Sequence, residues 1–244
     1  MHVPDGFLDV PTTVATGAVA VSALLVSLRG ARRELADRTA PLAGLVAAFV
    51  FAAQLISFPI GAGTNAHLLG GVLAAVLVGP FTALLCTSVV LAVQCLVMAY
   101  GGVTGAGASM IVMDLVPIAV GYLVFLAARA LFARSAAGVS AAAGVGAFVS
   151  VVAGAFAFTA LVGLGGTSGI PLGTVLTAVV GTHLLIGVAE AVITALTVSS
   201  VLAIRPDLVR GAGDLTPPLR VHLAPSLPAP RKAQTPSGTI VSAP

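Results

Sequence analysis

The chain carries very little charge. Its 244 residues include only eight acidic and eleven basic side chains, and 58% of them are apolar. With a mean hydropathy of +1.13, that balance excludes a water-soluble domain. Tryptophan is absent, so any aromatic belt at a membrane interface is thin. The two cysteines, Cys86 and Cys95, share one apolar stretch nine residues apart and point in different directions on a helix. They form no disulfide framework and read as buried, inert thiols. No GxxxxGK[ST] motif occurs, so any ATP use belongs to a partner. The lack of HExxH argues against a membrane zinc protease. Neither an internal repeat nor a rich set of intramembrane charges supports a self-sufficient secondary transporter.

What is present is a series of apolar runs, each near the ~20 residues that a spanning helix needs. They cover residues 10–28, 40–58, 68–78 with its flanks, 81–99, 111–132, 139–164 and 174–204. The reading is an all-α, polytopic membrane protein of about seven transmembrane helices. The third run is interrupted by Gly70, Gly71, Gly79 and Pro80, which leaves a six-helix alternative open. The basic residues set the topology. Arg29, Arg32, Arg33 and Arg38 follow the first run, Arg129 and Arg134 the fifth, and Arg205, Arg210, Arg220, Arg231 and Lys232 the seventh. The positive-inside rule then puts the N-terminus outside a cell membrane and the C-terminus in the cytoplasm. The start has no basic n-region or small-residue cleavage site, so the first helix is expected to stay as an anchor. Residues 1–204 form the membrane domain. Residues 205–244, rich in proline, are expected to be a disordered cytoplasmic tail.

Met1-His2 offers chemistry that an internal histidine lacks. The α-amine, the deprotonated His2 amide nitrogen and the His2 imidazole close a five- and a six-membered chelate ring on one metal ion. One further imidazole completes the square favoured by Ni(II) or Cu(II). Of the four histidines, His222 lies in the tail and His183 inside the seventh run. Only His67, in the loop Gly61–Gly70, shares the outer face with His2. Pro4-Asp5-Gly6 is a turn signal that folds the first residues back over the helices. Asp9 before Pro11 reads as a helix cap and not as a ligand.

The opening Met1-His2-Val3-Pro4-Asp5-Gly6-Phe7-Leu8 resembles the signature of the CbiM/NikM family. These are substrate-binding membrane components of energy-coupling factor (ECF) transporters for cobalt and nickel. Gly63-Thr64-Asn65-Ala66-His67-Leu68-Leu69-Gly70-Gly71 resembles the family's histidine-bearing loop. Gly79 through Gln94, Tyr100-Gly101-Gly102 and His183 through Thr194 also fit, so the likeness covers roughly residues 1–205. It implies a six-helix S-component core plus an N-terminal helix, and an N-terminal segment inserted into the bundle. It also implies metal ligation by the Met1 amine, the His2 amide and imidazole, and His67. Ni(II) or Co(II) would be the transported substrate, with no organic cofactor. The implied partners are separate ATPase subunits, a transmembrane coupling subunit and a small accessory membrane protein, with no nucleic acid. Two positions depart from the family: Ser109 and Val112 stand where many members carry asparagines. Thr64-Asn65-Ala66 is closer to the nickel-type loop.

Ionisable groups at membrane depth are functional candidates. Asp114, His183 and Glu190 are expected to serve either coupling to a membrane partner or helix packing. Glu190 lies seven residues beyond His183, about 10 Å along a helix, so each needs a partner on another element. Gln54 and Gln94 are candidates. Asp114 is expected near a helix end, in contact with water. Gly166-Thr167-Ser168-Gly169 matches the GxSG of rhomboid proteases, with His183 downstream. A Ser–His dyad requires contact between those two side chains, and turn chemistry accounts for the same residues.

Overall fold

A computed structural model describes residues 1–35, 40–60, 64–132, 135–213 and 215. The long helices start and stop where the sequence supplies caps. Helix α1 (Val10–Glu34) opens at Asp9, whose carboxylate accepts the Thr12 N–H at 2.9 Å, with Pro11 in the first turn. Its last turn carries Arg32 and Arg33, which suit the negative end of the helix dipole. The capping role expected for Asp9 is what the structure has.

The second apolar run does not stay helical to its end. Helix α2 spans Ala40–Gln54, and the chain then forms a short antiparallel hairpin, β1 (Ser57–Ile60) with β2 (Thr64–His67). This hairpin is the one departure from an all-α fold among the described residues, and it places His67 opposite Ser57. Pro59 disfavours a continued helix at this point.

The third run is also shorter than a span. Helix α3 (Gly71–Val78) has eight residues, about 12 Å of rise against a hydrocarbon core of ~30 Å. Every one of its residues is buried, as expected for a helix that is apolar all round. Glycines at both ends adopt backbone angles that other residues rarely take, φ 73° at Gly70 and φ 102° at Gly79. Those turns separate α3 from α4 (Pro80–Val97).

Three longer helices complete the bundle: α5 (Ala106–Leu131), α6 (Ala136–Gly165) and α7 (Leu172–Ile204). In all, five described helices (α1, α4, α5, α6 and α7) are long and apolar enough to cross a membrane, and α2 is a shorter apolar helix. With α3 the helical segments number seven, but α3 is enclosed by the others and crosses nothing alone. Lipid-like surroundings give no hydrophobic drive for helix association, so close packing must come from small residues. Gly146 of α6 lies against the Gly121 carbonyl of α5, and Gly144 lies against the Ala191 carbonyl of α7.

Two polar contacts tie the ends together. Buried Glu34, at the end of α1, accepts the Thr82 N–H at 2.7 Å and the Thr82 hydroxyl at 2.9 Å, capping the start of α4. Arg210 donates to the Glu34 carbonyl at 3.1 Å. Arg32 and Arg33 in the last turn of α1 and Arg210 after α7 therefore gather at one end of the bundle. The packed structure continues past the end of α7 at Ile204. Residues 206–212 form two short 3₁₀ turns, with Val209 and Ala212 fully buried against the helices. These two apolar side chains anchor a segment that the proline content alone marks as tail. The rest of the expected tail, residues 216–244 with His222, Arg220, Arg231 and Lys232, lies outside the described residues, as do Arg38 and Arg134.

Candidate metal centre

At the opposite end the first three residues thread into the bundle, and the next six run back over it to α1. Met1 and Val3 are each 2% exposed and His2 8%. Three elements hold the segment. The Val3 N–H donates to Ser109 Oγ at 2.8 Å, and the Gly102 N–H donates to the Val3 carbonyl at 3.1 Å. Asp5 accepts from the Thr104 N–H at 2.8 Å and from its hydroxyl. After the Pro4-Asp5-Gly6 turn, the chain pairs with the end of α6. There the Thr167 N–H donates to the Phe7 carbonyl at 3.0 Å, and the Asp9 N–H donates to the Gly165 carbonyl at 2.7 Å. Phe7 stacks on Phe158 with ring centroids 6.0 Å apart.

The approach is close enough to demand glycine beneath it. A Cβ on Gly105 would collide with the Val3 carbonyl oxygen, and one on Gly102 with the Asp5 carboxylate. The glycines after α4 thus form a floor on which the N-terminal strand lies. Gly166 and Thr167 have the same supporting role, which accounts for the GxSG stretch. Among the described residues no hydrogen bond joins Ser168 to His183. Ser168 is exposed, whereas His183 is 1% exposed and bonds the Val179 carbonyl at 2.7 Å. The arrangement has no Ser–His dyad.

His67 reaches the same place from the hairpin and is 3% exposed. Its Nδ1 lies 2.7 Å from the Leu68 carbonyl. A carbonyl only accepts, so Nδ1 carries the proton and Nε2 keeps a free lone pair. The chain beyond it is bolted down twice. Glu190 on α7 accepts the Leu69 and Gly70 N–H groups, each at 2.7 Å. Gln54 donates to the Leu69 carbonyl at 2.8 Å, and Gln94 donates to Gln54 at 2.8 Å. The partner that Glu190 needs is therefore backbone of the His67 loop, while Gln54 and Gln94 serve each other and the same loop.

The two imidazoles meet with ring centroids 5.2 Å apart and planes tilted by 38°, and Tyr100 lies 5.8 Å from His2. Both ring nitrogens of His2 and Nε2 of His67 are buried without a hydrogen-bond partner. Leaving such atoms unpaired costs ~1–3 kcal/mol each, and three at one point mark a place for a ligand. With metal–nitrogen bonds of ~2.0 Å, two imidazoles at adjacent corners of one ion have centroids about 4.5 Å apart, and at opposite corners about 6.4 Å. The observed spacing lies between. Among the described residues no cluster of three His, Cys, Asp or Glu side chains exists. An ion here therefore takes backbone nitrogen as well as the histidines.

Burial sets the charge state. Desolvation lowers the Met1 amine from 8.0 to about 5. Desolvation first, and then the nearby terminal amine, lowers His2 from 6.5 to about 3. His67 is held well below 6.5, again first by desolvation. These groups sit neutral, which is the form that binds metal. The same shifts make docking of the segment depend on pH. Each group is neutral when inserted and takes up a proton once released. Insertion is therefore strongest above pH 8, weakens below it as the released amine protonates, and weakens faster from 6.5 down to about 5 as His2 joins. Hydrogen exchange of residues 1–9, corrected for its intrinsic pH effect, should show protection falling across that window by up to ~10-fold per unit and per group. Protection that is unchanged from pH 8 to 5.5 would contradict this linkage.

The remaining polar residues are placed as follows. His183 is buried within α7. Asp114 sits in a π turn, Ile111–Leu115, within α5, and is 2% exposed beside the Thr87 hydroxyl. It is not at a wetted helix end, because α1, α4 and α6 pack against this turn. Ser109, read in the sequence only as a departure, proves to hold Val3. Cys86 and Cys95 are free thiols.

The family model for the cobalt uptake substrate-specific transmembrane region matches residues 2–208. The chain belongs to this CbiM family. The cobalt transport protein CbiM of Sorangium cellulosum is 35% identical, over 86% of this chain and 94% of that one. The fused nickel transport protein NikMN of Rhodobacter capsulatus is also 35% identical, over 86% of this chain and 64% of the fused protein. A crystal structure of a truncated transition metal transporter superposes with a TM-score of 0.76 at 28% identity, covering 83% of this chain and 99% of that one. Family membership and the apolar spans make this a multi-pass membrane protein of metal uptake, with relatives that are transport proteins and not enzymes.

Proposed function

We propose that the chain captures Ni(II) or Co(II) from the outer side of a cell membrane as the substrate-binding subunit of an ECF-type transporter. Four nitrogens hold the ion: the Met1 amine, the His2 amide, the His2 imidazole through Nδ1, and His67 through Nε2. The observation that carries this reading is the pair of buried imidazoles 5.2 Å apart with unpartnered nitrogens. The amide must lose its proton to bind, while the buried amine and imidazoles have already shed theirs, so ligation at neutral pH releases about one proton per ion. His67 Nδ1–H bonded to a carbonyl fixes that ligand's tautomer and orientation. The arginines at the far end of the bundle face the cytoplasm, and release inward draws on ATP consumed by partner subunits. A coupling membrane subunit, an ATPase pair and a small accessory membrane protein complete the assembly.

Titration of the purified protein with Ni(II) and Co(II) tests this directly. One ion should bind per chain, and His67→Ala should weaken binding by at least ~100-fold, since one of four ligands is gone. Uptake into proteoliposomes should require both ATP and the partner subunits. Equal affinity in the His67→Ala protein would sink the assignment of the site.

A further inference from the structure

Two neighbouring cavities lie along α1 on the side of its C-terminal half. The larger, about 530 Å³, is an apolar groove between α1 and the α4–α5 pair, bounded by Ala18, Ala23, Phe81, Leu115 and Ala119 among others. Helix α1 packs closely on α5 at Gly17, which lies against Gly107, and is tied to α4 by Glu34. Between these points the small side chains Ala18, Ser22 and Ala23 leave the groove open. Along α1 the groove runs from Ala18 to Ser27, about 14 Å. The second cavity, about 330 Å³, is lined by Arg29, Arg33 and Arg210, with Val26 and Phe81 common to both.

The chemistry changes along this path from hydrocarbon to cation. Arg29 and Arg33 lie one helical turn apart on the same face of α1, and Arg210 is pinned over them by its bond to the Glu34 carbonyl. Among the described residues, Glu34 supplies the one carboxylate lining this second cavity, and it is turned to Thr82. The groove's open side and its small-residue walls would forfeit dispersion contacts if left empty in a bilayer. An apolar helix from another protein would fill the groove but leave three guanidiniums unanswered at its mouth.

From this we infer that the groove holds one acyl chain of an anionic phospholipid whose phosphate sits among Arg29, Arg33 and Arg210. The inference rests on the membrane-spanning fold and not on the metal site. Arginine forks bind phosphate in paired hydrogen bonds, and basic residues at a membrane surface favour anionic lipid additively. The lipid fills the gap between α1 and the α4–α5 pair.

Native mass spectrometry of the full chain in detergent, with phosphatidylglycerol or phosphatidylcholine of matched chains, tests the proposal. Phosphatidylglycerol should bind at least ~10-fold more tightly than phosphatidylcholine. The double variant Arg29→Gln, Arg33→Gln should lose that preference, and Ala119→Phe, which fills the groove, should lose both lipids. Melting temperature in detergent checks that each variant is folded, independently of metal. Equal binding of the two lipids by the original protein, or an unchanged preference in the folded double variant, overturns the proposal.

Discussion

Adding four residues ahead of Met1 is expected to weaken Ni(II) or Co(II) binding by at least ~1,000-fold, although every side chain in the protein is kept. Two effects act together. The amine becomes an ordinary amide, which removes one tooth of the chelate. Each tooth held by a short linker is worth roughly 10²–10⁴ in effective concentration. The extension must also pass through a place where Met1 is 2% exposed and packs near Gly154 of α6. Helix α1 should survive, because its start is fixed by Asp9, Thr12 and Gly165 rather than by Met1. Circular dichroism should thus be unchanged while isothermal titration shows the loss. Undiminished binding by the extended chain would remove the amine from the site. A single glycine inserted between Met1 and His2 is a less informative change. It creates an amine, two amides and an imidazole in sequence, four nitrogens that square off an ion with no need of His67.

The candidate metal site was legible in the sequence to an unusual degree because its proposed donors are defined by chain position. His2 beside the terminal amine can be recognised without any knowledge of the fold, and Asp9 before Pro11 marks where the first helix must begin. His67 followed from the placement of arginines, which left only two histidines on one face. The supports were less legible, because each joins segments far apart in the chain. Glu190 bonds backbone about 120 residues away, and Ser109 bonds Val3 across 106. Nothing in local spacing signals such bonds. Gly101, Gly102 and Gly105 were the available hint, since glycines clustered outside a helix mark places where another backbone comes close. Helix count was the other weak point. A buried eight-residue helix and a spanning one share the same apolar composition, and only the flanking glycines of α3 separate them.

Replacing Glu190 by alanine should cost metal affinity as severely as losing part of the ligand shell, although this residue touches no ion. Its carboxylate accepts two buried N–H groups at 2.7 Å each, from Leu69 and Gly70, directly after the His67 strand. Removing it orphans both donors, at ~1–3 kcal/mol apiece, and frees the segment that aims His67 Nε2. Changes of this kind around metal ligands typically lower affinity 10–100-fold, and that is the expected loss. Glu190→Gln separates support from simple filling of space, because an amide oxygen can still accept one of the two bonds. It should fall between the original and the alanine variant. Hydrogen exchange at Leu69 and Gly70 should rise in the same order, with helix content unchanged. The alternative role, contact with a coupling subunit, predicts the reverse pattern. Metal affinity of the isolated protein would then stay intact in both variants, and only uptake with the partner subunits would fail. Glu190 is 2% exposed, which leaves a partner little to touch, so the loss should already be present in the protein alone.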